Sequence, residues 1–211
     1  SYNGDSEPGF DYTYVIIDSE FPDSCGWAGD DSDTLRCYDG YTGGGSVSID
    51  LTAWDDGNDC DDITFDADYS GAYVKICFAV VSDGGWDDED DGYDTCDGAF
   101  NVDDIVIDVA GAVDDTTDFE TGTLEGWTAC GGWAPGDYVA IRSQYSFINN
   151  DECGFENCTM EGCVLAFYNP NIPGQYGNGG HYFGRSFYKR AWSPAIDMTS
   201  YPTRGYVINT Q

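Results

Sequence analysis

The chain has 211 residues, 41% of them apolar and 16% aromatic, enough to bury a substantial core and too apolar for a disordered segment. Seven Lys and Arg stand against 40 Asp and Glu, a formal net charge of −33. A field of that size repels nucleic acid and anionic membranes and attracts cations. The acids are 32 Asp and only 8 Glu, and Asp favours turns and caps over helix interiors.

In chain order, the first strand signal is YTYVIID (Tyr12 to Asp18), an alternating β-branched and aromatic run. SVSIDL (Ser46 to Leu51) and DITFDA (Asp62 to Ala67) follow. AYVKICFAVV (Ala72 to Val81) is apolar almost without break except at Lys75, which predicts a central strand covered on both faces. NVDDIVIDV (Asn101 to Val109) is the next strand, and VAGAVDDTTD (Val109 to Asp118) reads as a linker. It is the one internal boundary, dividing residues 1–110 from 111–211. DYVAIRS (Asp137 to Ser143), CVLAFYN (Cys163 to Asn169) and GYVINT (Gly205 to Thr210) complete the strands. Asp50, Asp66 and Asp104, inside strands, belong on a solvent face or at a metal. No segment carries the helical i, i+3, i+4, i+7 spacing. Many short strands and no helix predict an all-β fold, a jelly-roll β-sandwich.

Nine cysteines and a single histidine, His181, with no CxxC, exclude a zinc ribbon or finger. Disulfides in an oxidising compartment fit better, and place the protein outside the cell or at its surface. Cys153, Cys158 and Cys163 recur every fifth residue, as in a stapled loop. Nine is odd, so one thiol stays free or bonds to another chain. No run approaches the length of a membrane span and no signal peptide is present, so the sequence reads as a mature, processed product without membrane insertion.

Four short segments carry a family likeness. They are Phe119-Glu120-Thr121-Gly122 with Gly126-Trp127; Trp192-Ser193-Pro194-Ala195-Ile196-Asp197; Phe10-Asp11-Tyr12-Thr13-Tyr14-Val15; and Gly98-Ala99-Phe100-Asn101-Val102-Asp103-Asp104-Ile105. Together they resemble extracellular jelly-roll modules of the choice-of-anchor J type, and the β-sandwich regions that accompany immune-inhibitor-A-like secreted metallopeptidases. In such modules the four segments run in the order just given. Here the last two precede the first two, so the chain resembles a circularly permuted module or two half-domains from a tandem array. The halves are 1–110, with the third and closing motifs, and 111–211, with the opening and second motifs. No HExxH occurs, so the peptidase activity does not carry over and the resemblance implies an accessory module. It also implies a structural Ca²⁺ where the opening and closing strands meet, held by Glu120 with Asp103 or Asp104.

Three further groups of residues invite a role. Asp87, Glu89 and Asp91 reproduce the alternating acids that open an EF-hand-like loop, but Gly98 stands where its closing Glu belongs. They are kept as candidate Ca²⁺ ligands of an irregular loop. Tyr182, Tyr188 and Trp192 lie in an aromatic, Gly/Asn-rich stretch suited to stacking on sugar rings. Core packing is the plainer account of the same residues. Arg185, Lys189 and Arg190 put three of the seven basic residues within six positions, a candidate contact with an acidic subunit. His181 has no Ser or Cys partner in a recognisable elbow, and no feature selects a carboxylate pair for hydrolysis.

The resulting expectation is a non-catalytic extracellular structural or adhesive protein, Ca²⁺-bound and assembling head to tail with copies of itself or neighbouring repeats. The alternative is a carbohydrate-binding accessory module of a larger secreted enzyme, with a polysaccharide as partner.

Overall fold

Alternating burial organises the strands of the computed structural model, which describes residues 2–3, 8–19, 33–39, 45–51, 60, 69, 71–82, 100–109, 112–121, 123–130, 138–143, 163–168, 187–199 and 207–210. The elements in order are β1 (Tyr2–Asn3), β2 (Tyr12–Asp18), β3 (Asp33–Asp39), β4 (Ser48–Asp50), β5 (Tyr73–Ser82), β6 (Phe100–Val102), β7 (Ile105–Val109) and β8 (Ala112–Thr117). They continue with β9 (Thr128–Cys130), β10 (Tyr138–Ser143), β11 (Cys163–Tyr168), β12 (Phe187–Trp192), β13 (Ile196–Asp197) and β14 (Val207–Thr210). The described residues are all strand and connection, with no helix, as the missing helical periodicity predicts.

Three antiparallel sheets result. Their strand orders are β1-β6-β11-β10, then β3-β2-β5-β12-β9 with β13 also on β5, and finally β4-β14-β7-β8. Each sheet mixes strands from residues 1–110 with strands from residues 111–211. The two halves are therefore interleaved by backbone hydrogen bonds and do not sit side by side as separate cores.

β5 is the central strand of the second sheet. Val74, Ile76, Phe78 and Val80 face the main core with Val15, Ile17, Leu35 and Ala191. On the opposite face Cys77 and Ala79 form a smaller apolar cluster with Trp192, edged by Tyr14 and Ile16. A strand covered on both faces has no need of alternation, which is why its sequence is nearly continuous apolar.

The first and third sheets supply the other side of the core through Phe100, Val102, Ile105, Ile107, Val109 and Ile49. They are joined where β6 runs into β7 across Asp103 and Asp104. The sequence reads one strand over residues 101–109, but a bend interrupts it, with Asp104 in left-handed backbone at φ 50. A chain of rings spans the core: Tyr2 lies 4.8 Å from Tyr38, Tyr38 5.4 Å from Phe100, Phe78 6.3 Å from Phe100, Phe78 5.5 Å from Trp127, and Phe119 6.3 Å from Trp127. Such pairs add about 0.5–1.5 kcal/mol each beyond their buried area.

The linker expected over Val109 to Asp118 is largely strand. β8 pairs antiparallel with β7, from Ile105↔Thr117 to Val109↔Ala112, with a bulge at Ile107/Asp108. Two adjacent Asp residues disguise β8 in the sequence, and at a sheet edge they are tolerated because they discourage further pairing. The expected strand over Asp62 to Ala67 and the Cys153, Cys158 loop lie outside the described residues, as does Asp66. A disulfide joins Cys37 of β3 to Cys60, and Cys77 is a buried free thiol.

Candidate functional site

The β7–β8 hairpin brings the closing and opening motifs together. Ile105 pairs with Thr117, so Asp103 and Asp104 enter the hairpin at the end where Asp118, Phe119 and Glu120 leave it. Asp103 is 6% exposed and Asp104 is exposed. The Asp104 N–H donates to Asp103 Oδ1 at 2.8 Å. Burial pushes the Asp103 carboxyl up to about 6, against its ordinary 3.8, and the charges of Asp104 and Glu120 push the same way while the Asp104 N–H opposes them. Asp103, Asp104 and Glu120 are thus electrostatic neighbours.

The turn that follows is held chiefly by Glu125. Glu125 Oε2 accepts the Phe119 N–H at 3.3 Å, while Oε1 accepts the Thr121 N–H at 3.3 Å and the Thr121 hydroxyl at 2.7 Å. Asp118 Oδ1 accepts the Glu120 N–H at 3.1 Å. These bonds hold Phe119 at φ 55 and Glu125 at φ 48, left-handed conformations that non-glycine residues rarely adopt. Gly126 follows at φ 93, and a Cβ there would meet Pro194 Cγ at 3.0 Å. The glycine of the EGW segment therefore lets the SPAID segment approach. Trp127 is buried, its Nε1 donating to Thr117 Oγ1 at 3.4 Å.

The second motif is also committed to structure. Ser193 Oγ accepts the Ile76 N–H at 2.9 Å, and the Ser193 N–H donates to the Ile76 carbonyl at 2.8 Å. Asp197 Oδ1 accepts the Thr199 N–H at 2.9 Å and the Thr199 hydroxyl at 2.5 Å, and the Tyr73 hydroxyl donates to Oδ2 at 3.2 Å. The Thr199 donors hold the Asp197 carboxyl below its ordinary range.

A third group joins residues far apart in sequence. The Tyr69 hydroxyl donates to Asp33 Oδ2 at 2.7 Å, with the Ile17 carbonyl at 3.4 Å. Burial raises the Tyr69 phenol far above its ordinary value, helped by the bond to Asp33 and the charge of Asp18. Tyr69, Asp33 and Asp18 are all buried. Their separation along the chain leaves no sequence signal.

For Ca²⁺ the hairpin end offers hard carboxylate oxygens from Asp103, Asp104 and Glu120. Ca²⁺ takes about six to eight oxygens, so these carboxylates alone would fill only part of its shell. Among the described residues no three His, Cys, Asp or Glu side chains converge as a ready-made metal group. Asp87, Glu89, Asp91, Tyr182 and Arg185 lie outside the described residues. Tyr188 and Lys189 are placed only as backbone of β12. Trp192 is 4% exposed, packed on Cys77 and Ala79, and Arg190 is 7% exposed near Cys77. Sequence reasoning missed Glu125 as the turn's anchor, although an acid five residues after the FE pair was in plain view. Comparison of the chain with protein-family models, curated proteins and solved structures gives no match in any of the three.

Proposed function

We propose that this chain is a non-catalytic extracellular structural or adhesive module, a permuted jelly roll steadied by Ca²⁺ at the end of the β7–β8 hairpin and assembling with copies of itself. The observation that carries the reading is the interleaving of residues 1–110 and 111–211 in all three sheets. Contacts that close the sheets within one chain can equally be made between copies, since swapped elements reproduce the same interface. β14, lodged between β4 and β7, is such an element. Repeated head to tail, the exchange builds a filament.

The structural role draws support from how the motif acids are used. Glu125 and Asp197 hold backbone turns, and Phe119 and Trp127 fill the core. Ca²⁺ draws support from Asp103, whose buried carboxylate sits in the field of Glu120 and Asp104 and would be relieved by a cation. The extracellular setting draws support from the Cys37–Cys60 disulfide.

Two measurements on the full chain test the proposal. Chelation with EGTA is expected to lower the thermal midpoint, because an ion bound only to the folded state stabilises it by mass action; an unchanged midpoint removes Ca²⁺ from the account. Light scattering and electron microscopy are expected to show oligomers or filaments in Ca²⁺, and monodisperse monomers would overturn the assembly.

A further inference from the structure

We propose that Phe10, Tyr12, Tyr14 and Asp39 form a binding face for an uncharged polysaccharide. The face uses none of the hairpin acids and requires no contact between copies, so it stands apart from the function proposed above.

Tyr12 and Tyr14, both half-buried, occupy alternate positions of β2 on the sheet face opposite the core-facing Val15, with Tyr14 at the edge of the Cys77–Ala79–Trp192 cluster. Their ring centroids are 6.1 Å apart and inclined by 30°. Phe10, in the turn two residues before Tyr12, is 54% exposed. Among the described residues only Phe10 and Tyr73 are large hydrophobic side chains left that open. The turn carrying Phe10 is fixed by Gly9, at φ 81, whose N–H donates to Asp39 Oδ1 at 2.6 Å. Asp39 lies opposite Tyr12 on β3, so a single carboxylate pins the turn and borders the rings.

The chemistry suits a sugar chain. Aromatic faces accept the C–H faces of pyranose rings, and the phenol hydroxyls and Asp39 Oδ2 answer the sugar hydroxyls around them. Burial, with Tyr12 and Asp39 nearby, raises the Tyr14 phenol, which keeps it a hydroxyl donor. The site is also rigid. β2 is hydrogen-bonded on both sides, to β3 and β5, so little ordering is left for a ligand to impose. None of the four residues is cationic and the chain carries −33, which disfavours anionic glycans. Four side chains are far short of the roughly 1,000 Å² that a stable protein interface buries.

The test is retention of the full chain on cellulose, chitin and mixed-linkage β-glucan, with alginate as the anionic arm. Retention is expected on at least one uncharged polymer. It should weaken about tenfold in Phe10→Ala and in Tyr12→Ala, the worth of one aromatic contact, and less in Tyr12→Phe, with the thermal midpoint of each variant kept. The proposal is overturned if no uncharged polymer retains the chain, if alginate retains it equally, or if Phe10→Ala and Tyr12→Ala bind as wild type. None of these failures touches the chelation and scattering readouts, so the two proposals fail separately.

Discussion

Asp103 and Asp197 belong to two motifs of one chain, and their surroundings pull them in opposite directions. Asp197 is fed by donors from Thr199 and Tyr73, and its carboxyl is held below the ordinary range. Asp103 is buried, receives the Asp104 N–H and feels two further acids, and its carboxyl is pushed up to about 6. In a protein with 40 acids, residue type says little about role. The balance of hydrogen-bond donors against burial and neighbouring charge decides which way a carboxyl is shifted.

The contrast can be broken most forcefully from beneath. Trp127 underlies the turn that leads away from the hairpin and stacks on Phe78. Trp127→Ala is expected to cost about 3–5 kcal/mol, read as a lower urea midpoint with folding still cooperative. Next comes Glu125→Ala, which strands three donors and is expected to cost about 1–2 kcal/mol. An unchanged midpoint there would mean that the left-handed Phe119 is held by packing alone.

The smallest and most diagnostic effect is at Asp103. Below its ordinary value of 3.8 the carboxyl is protonated whether the chain is folded or not. Between there and about 6 the folded protein keeps a proton that the unfolded chain has released. In EGTA, stability should therefore fall as pH rises through this window and level off above it. Asp103→Asn should flatten the profile and, at pH 8 in EGTA, leave the protein at least as stable as wild type. With Ca²⁺ added the order is expected to reverse. Asp197 behaves oppositely: its lowered carboxyl adds stability at neutral pH that is lost as pH falls below 3.8.

Much of this fold is legible in the sequence because burial alternates. β2, β5, β10, β11 and β14 coincide with apolar or alternating runs. β3 is hidden because DTLRCYD mixes Asp, Arg and Cys, and β8 because AVDDTT looks like a linker. The bend between β6 and β7 was readable: core positions fall at Phe100 and Val102, then at Ile105, Ile107 and Val109, a slip of one in the period of two. At the candidate site, the expectation that Glu120 meets Asp103 or Asp104 came from motif order. The Tyr69–Asp33 bond did not, because 36 residues separate its partners and neither stands in a local pattern.

The free thiol of Cys77 bears on how copies can be held together. It is buried in the strand at the centre of the second sheet, and burial raises its pKa far enough to keep it protonated and unreactive. Of nine cysteines, removing Cys77 and the Cys37–Cys60 pair leaves six, an even number. Parity then no longer calls for a bond to another chain. For the assembly proposed above, chelation or dilution rather than reductant then becomes the expected way to take it apart.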